Sequence, residues 1–321
     1  MTSITAKAGA ITARVPAKIN LQLSVGALRA DGYHDVVSVF HAVSLYDEVR
    51  VSHADRTSVV VTGEGGSEVP LGPTNLAVRA AAALAKSTGR RNRGGTGLRI
   101  EIRKRIPVAA GLAGGSADAA AALVACNELW RTGCSAAELT ELAGQLGSDV
   151  PFALAGGTAV GIGRGEQISR ALTSGSYHWV LAFGTTGLAT PDVYAACDRL
   201  RAARSGDGAA AVKPPELSTE LMAALRSGDP VTIGPLLTND LQPAALSLQP
   251  LLRRALNAGR RSGALGSIVS GSGPTCAFLA EDADSASELA VAITGAGVCR
   301  AVVQVTGPAP GATLVDSGPL C

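Results

Sequence analysis

The stretch Ile106-Pro107-Val108-Ala109-Ala110-Gly111-Leu112-Ala113-Gly114-Gly115-Ser116-Ala117-Asp118 carries the clearest chemical signal in the chain. Gly111, Gly114 and Gly115 permit positive φ and let an anion approach the backbone closely. The alternation Leu98-Arg99-Ile100-Glu101-Ile102 before it predicts a strand, and the apolar run Ala119 to Trp130 after it predicts a helix. Strand, small-residue loop and helix, in that order, present bare backbone N–H groups to an anion such as phosphate. Ser116 adds a hydroxyl that can reach phosphate or a metal. No Gly-Lys-Ser/Thr follows and no Gly-x-Gly-x-x-Gly is present, so this is neither a Walker loop nor a dinucleotide fingerprint. An ordinary loop with a helix cap has a similar composition.

Two more positions need elements to place them. Lys18 and Asn20 share one face of the alternating segment Pro16 to Leu23, a strand in which a lysine by itself reads as solvated. Asp149 precedes Val150-Pro151, where it suits a helix N-cap as well as it suits chemistry. Between them, Arg29-Ala30-Asp31-Gly32-Tyr33-His34 reads as a hairpin turn followed by an aromatic ring and an imidazole. Ser270-Gly271-Ser272-Gly273 is a late glycine turn between two strands. Helices are predicted from Asn75 to about Ser87 with Thr74 as cap, after the capping box Ser135 to Glu138, and from Thr190-Pro191. Residues 204–215 read as a polar loop and 307–321 as a disordered tail.

Composition bounds the function. At 321 residues the chain fits about two domains, taking ~150 residues each. Hydrophobic residues reach 46% but aromatics only 3%, so Ala, Val and Leu must fill the cores. A net charge of +2 with scattered basic residues argues against a nucleic-acid surface. The six cysteines include no Cys-x-x-Cys, which leaves zinc and redox-motif readings without support. No apolar signal segment stands in Met1 to Lys18, and Val108 to Cys126 contains Asp118 and several glycines, a poor membrane span. A cytoplasmic protein with reduced cysteines, no membrane partner, and a monomeric or weakly dimeric state is the expectation.

Taken jointly, Pro-x-x-x-Gly-Leu-x-Gly-Gly-Ser from Pro107, the Lys18/Asn20 strand and the Ser270 to Gly273 turn resemble the GHMP kinase superfamily. Within it, Pro16 to Leu21, Arg29 to His34 and Leu146-Gly147-Ser148-Asp149-Val150-Pro151-Phe152 resemble the branch that phosphorylates a cytidyl-diphospho sugar alcohol of the non-mevalonate isoprenoid route. The resemblance runs from about Val15 to Val305. It implies an α+β, two-domain GHMP kinase fold: a ribosomal-protein-S5-like α/β domain over residues 1–168 that binds ATP, and a ferredoxin-like α+β domain over 169–306. It implies Asp149 as general base and Lys18 beside it. It implies ATP phosphates cradled by Pro107, Val108, Ala109, Ala110, Gly111, Leu112, Ala113, Gly114, Gly115, Ser116 and Ala117, with Asn75 and Lys104 near the adenosine. Mg²⁺ would bridge phosphates with few protein ligands, so no protein metal site is assigned. Tyr33 and Tyr194 would sandwich a cytosine that His34 hydrogen-bonds, Asn20 would orient the sugar alcohol, and Gly271 and Ser272 would close the substrate side. Where that branch often carries glycine, this chain has Ala109 and Ala110.

A mevalonate- or homoserine-type kinase, and a relative that binds nucleotide without catalysis, are the alternatives. Asp31-Gly32-Tyr33-His34 argues against the first, and the presence of both Lys18 and Asp149 against the second.

Overall fold

The computed structural model describes residues 9–90, 97–205 and 212–315. Cys321, the last part of the tail, the middle of the 204–215 loop and the start of the N-terminal segment lie outside the described residues. The larger sheet contains β1 (Ile11–Leu28), β2 (His34–Ala54), β3 (Ser58–Gly63), β4 (Gly97–Lys104), β5 (Thr158–Ile162) and β6 (Gln167–Arg170). The smaller, four-stranded sheet runs β11-β7-β10-β9, from β7 (Tyr177–Phe183), β9 (Gly266–Val269), β10 (Cys276–Ala280) and β11 (Ala301–Gly307). Two late strands, β8 (Thr238–Asn239) and β12 (Thr313–Val315), return to pair with β1.

Helices α1 (Leu76–Ser87), α2 (Gly114–Trp130), α3 (Ala136–Leu146) and α4 (Val150–Ala155) cover the larger sheet. Helix α2 is apolar all round because it is sunk between sheet and helices; Ala119, Ala120, Ala121 and Ala122 are all fully buried. Small side chains let its backbone lie close to β1 and β2, so alanine does here what aromatics do in other cores. Around the smaller sheet pack α5 (Thr190–Ser205), α6 (Thr219–Ser227), α7 (Pro230–Ile233), α8 (Gln242–Leu248), α9 (Leu251–Arg261) and α10 (Ala283–Gly295). A second core gathers Val180, Ala182, Phe278, Leu252, Leu256 and Leu289.

Two expectations change, the Thr74 cap and the disordered tail. The segments at Ile11 and Pro16 are one 18-residue strand, bent by register shifts between Pro16 and Ala17 and between Asn20 and Gln22. That second shift takes Gln22 away from Lys18 and Asn20; its amide instead donates to Ser24 and to the Glu216 carbonyl. Asn75, not Thr74, caps α1, accepting from the N–H groups of Ala77 and Val78. The tail is ordered through Val315: β12 pairs with β1, and Pro310 bridges Gly156. A boundary at residue 168 is therefore crossed twice, by β8 and β12, because the open edge of β1 is paired by later chain.

Candidate active site

Strand β1 carries Lys18 and Asn20 under the glycine loop that leads from β4 into α2. The Lys18 ammonium donates to Asn20 Oδ1 at 2.6 Å, and Asn20 Nδ2 donates to Ser38 Oγ on β2 at 2.7 Å. Ser38 in turn donates to the Gln22 carbonyl at 3.1 Å. This chain of donors fixes which way the Asn20 amide faces. Lys18 is only 6% exposed. Burial pulls its ammonium below the ordinary range near 10.5, and the Asp149 carboxylate pulls it back up.

Asp149 stands before α4, at the position where a cap would sit, but its side chain makes no capping hydrogen bond. The helix-cap reading thus has no bond to rest on. Asp149 lines two adjoining cavities, and Val36, Arg164, Thr190 and Tyr194 line both of them as well. The smaller hollow, about 270 Å³, holds Lys18, Asn20, Ala109 to Gly111, Ala113 to Gly115, Gly271 and Ser272. The larger, about 600 Å³, holds Tyr33, His34, Ser116, Ser148 and Asp198. Burial, then the Asp149 charge, pushes the Tyr194 phenol up, which places that ring in the field of the carboxylate.

The loop itself could cradle an anion. Among the described residues, none of the backbone N–H groups from Ala109 to Ser116 has an acceptor. Its shape is held from outside. The Asp47 carboxylate accepts from the N–H groups of Arg105 and Ile106, at 2.6 and 2.9 Å. Ser270 Oγ donates to the Gly111 carbonyl at 3.0 Å, and Thr275 N–H donates to that of Ala110 at 3.3 Å. Gly111, at φ +75°, has no alternative, since a Cβ there would lie 2.2 Å from the Ser270 carbonyl oxygen. Ala109 and Ala113 both take the left-handed conformation, at φ 50° and 60°. The loop thus reaches a glycine-like path with alanine, at a cost of roughly 1 kcal/mol each.

Several residues that the resemblance puts near the nucleotide have other partners or lie off the smaller hollow. Pro107, Val108, Leu112 and Ala117 do not line the hollow; Leu112 and Ala117 are core residues. The Asn75 side chain is spent on capping α1 and on the Pro70 carbonyl. Lys104 is buried between Asp47 and Asp118, its ammonium 2.8 Å from Asp118. Burial lowers the Lys104 pKa, but the two carboxylates outweigh it and raise it overall. Burial pushes Asp118 up to about 8 against the pull of Lys104. These three groups brace the loop from beneath: a Cβ on Gly114 would come 3.1 Å from the Lys104 nitrogen.

Ser38, Arg164 and Asp198 were not singled out from the sequence. Arg164 sits in the turn after β5, its guanidinium 4.9 Å from the centre of the Tyr33 ring. A charged residue between two glycines, Gly163-Arg164-Gly165, was the available signal. Among the described residues no cluster of three or more acidic, His or Cys side chains could hold a metal.

This arrangement has known counterparts. Residues 75–157 match the GHMP kinases N terminal domain, and residues 221–299 match the GHMP kinases C terminal domain. The 4-diphosphocytidyl-2-C-methyl-D-erythritol kinase of Nocardia farcinica is 54% identical over 308 residues, covering 95% of this chain and 96% of its own. The chain belongs to the GHMP kinase family. The enzyme of the same name from Mycobacterium tuberculosis is 52% identical over 311 residues, 96% of this chain and 94% of its own. A crystal structure of a 4-(cytidine 5'-diphospho)-2C-methyl-D-erythritol kinase superposes with a TM-score of 0.72 at 33% identity, over 92% of this chain and 98% of that one. Homoserine kinase from Cytophaga hutchinsonii shares the fold, with a TM-score of 0.71 at 18% identity over 98% of this chain and 99% of that one. The two-domain α+β GHMP kinase fold is thus the one adopted here. Among the described residues, no helix is long and apolar enough to cross a membrane.

Proposed function

We propose that this GHMP kinase transfers the γ-phosphoryl group of ATP to the tertiary 2-hydroxyl of 4-diphosphocytidyl-2-C-methyl-D-erythritol. One observation carries the reading: Asp149 stands where an anion cradle of unpaired N–H groups meets a cavity walled by Tyr33, His34 and Tyr194. Phosphate and acceptor base would thus lie on either side of the same carboxylate.

In this reading the uncapped start of α2 and the loop before it receive the ATP phosphates. Asp149 accepts the proton of the substrate hydroxyl as its oxygen attacks, and Lys18 neutralises charge on the group in flight. Most of the remaining barrier reduction is positioning, which the Lys18, Asn20 and Ser38 chain supplies. Mg²⁺ bound to ATP would spread the phosphate charge, and the Ser116 hydroxyl would be a protein oxygen able to reach it. Tyr33 and Tyr194 offer faces to a cytosine. Arg164, which lines both cavities and braces Tyr33, is placed to meet the substrate diphosphate.

The test is ADP release across the cytidyl alcohol, mevalonate and homoserine, with wild type and Asp149→Ala. The cytidyl alcohol alone should turn over, and the variant should lose roughly 10²- to 10⁴-fold in kcat while still binding ATP. Turnover of mevalonate in its place, or a near-normal variant, would end this reading.

A further inference from the structure

Asp198 lies one turn along α5 from Tyr194, and its two carboxylate oxygens stand 3.0 and 3.1 Å from His34 Nε2. A carboxylate only accepts, so Nε2 carries the proton. The His34 side chain is 6% exposed and its ring lies against Tyr194, centroids 5.0 Å apart, so the imidazole is held in one pose. Nδ1 has no hydrogen-bond partner among the described residues, and His34 lines the larger cavity. In a neutral ring protonated at Nε2, Nδ1 is an acceptor.

We propose that Asp198 is a positioning residue that fixes His34 as an acceptor, and so makes the cavity select a base with an exocyclic amine over one with a carbonyl at the same place. This rests on the cytidyl reading above and deepens it. Cytosine's 4-amine can donate to Nδ1. Uracil would set a carbonyl lone pair against the Nδ1 lone pair, leaving two buried acceptors unpaired. Without the carboxylate, the imidazole is free to move its proton to Nδ1 and then serves either base.

The experiment compares kcat/KM for the cytidyl alcohol and its uridyl counterpart under one set of conditions. Asp198→Ala should lower the cytidyl-to-uridyl ratio at least tenfold. The isosteric Asp198→Asn should lower it too, since an amide can offer Nε2 a donor. A ratio of two substrates cancels any loss of folded enzyme, and the KM for ATP serves as control. Unchanged ratios in both variants would overturn the proposal. ¹⁵N NMR of wild type reads the tautomer directly: His34 should be protonated at Nε2, and a proton on Nδ1 would overturn it as well. Should wild type fail to use the cytidyl alcohol, the proposed function falls first, while the NMR still decides the role of Asp198.

Discussion

Lys18 reaches its place in the site through Asn20: the ammonium donates across 2.6 Å to an amide oxygen that is itself locked by the bond from Asn20 Nδ2 to Ser38. A flexible four-carbon stem, in a pocket that disfavours its charge, would otherwise fold away. Asn20→Ala should therefore cost roughly 10- to 100-fold in kcat, with the KM for ATP little moved. Ser38→Ala should give a smaller loss of the same kind, because it frees the amide to flip. Steady-state kinetics of both check this; a loss for Asn20→Ala confined to KM would make Asn20 a plain substrate contact.

Gly271 bears on the same pair from the other domain. It has φ +55°, and a Cβ there would lie 3.0 Å from the Lys18 nitrogen and 3.2 Å from the Gly111 carbonyl. Gly271→Ala should thus lower kcat strongly by displacing the lysine. It should also lower Tm by several degrees, given about 1–2 kcal/mol of left-handed strain. Gly263→Ala is the matched control: φ is +89°, but nothing lies within 4 Å of its Cβ. It should show the strain in Tm and normal turnover. Equal kinetics for the two would mean that Gly271 matters only as backbone.

Tyr33 is 53% exposed at the hairpin tip, with Arg164 over one face. A half-exposed ring braced by a cation is a platform rather than a core residue. Tyr33→Ala should raise KM for the cytidyl alcohol roughly 5- to 100-fold, the worth of one base stacked on one ring, and leave KM for ATP nearly constant. Arg164→Ala should raise the same KM and make it less sensitive to ionic strength, since one charged contact to phosphate is lost. Equal shifts in both KM values for Tyr33→Ala would place that ring away from the base.

Much of this site was legible in the sequence because the signals were local. The order of strand, glycine loop and helix around Gly111 appears as read, and so do the capping box at Ser135 and the turn before β10. Lys18 and Asp149 could be paired only through resemblance, for 130 residues lie between them and nothing in either segment names the other. The rest depends on partners that arrive from distant segments. Only resemblance points Lys104 at the adenosine, and the two carboxylates that flank its ammonium, Asp47 and Asp118, come from other elements. The tail is rich in Pro and Gly and lacks periodicity, yet the open edge of β1 gives its backbone partners. Asp198 looked like any polar helix residue until α5 was laid beside the start of β2.

His41 tests a different link, from burial to pH-dependent stability. It is fully buried, its Nδ1 is 2.8 Å from Thr158 Oγ1, and its ring faces Tyr177 and Trp179 where the two sheets meet. Burial drives its pKa from 6.5 down to about 3, with the Gly307 backbone opposing. A depressed folded pKa means that the unfolded chain binds the extra proton first. The stability His41 contributes is therefore complete above pH 6.5 and drains away as pH falls toward 3, by roughly 5 kcal/mol at most. His41→Gln should lower Tm at pH 7.5, because the amide fits the Thr158 bond less well. The gap from wild type should then narrow steadily from pH 6.5 to 4, as wild type alone loses this contribution. Thermal unfolding followed by circular dichroism across that range gives the answer, and a gap that stays constant with pH would mean that His41 is not neutral in the folded protein.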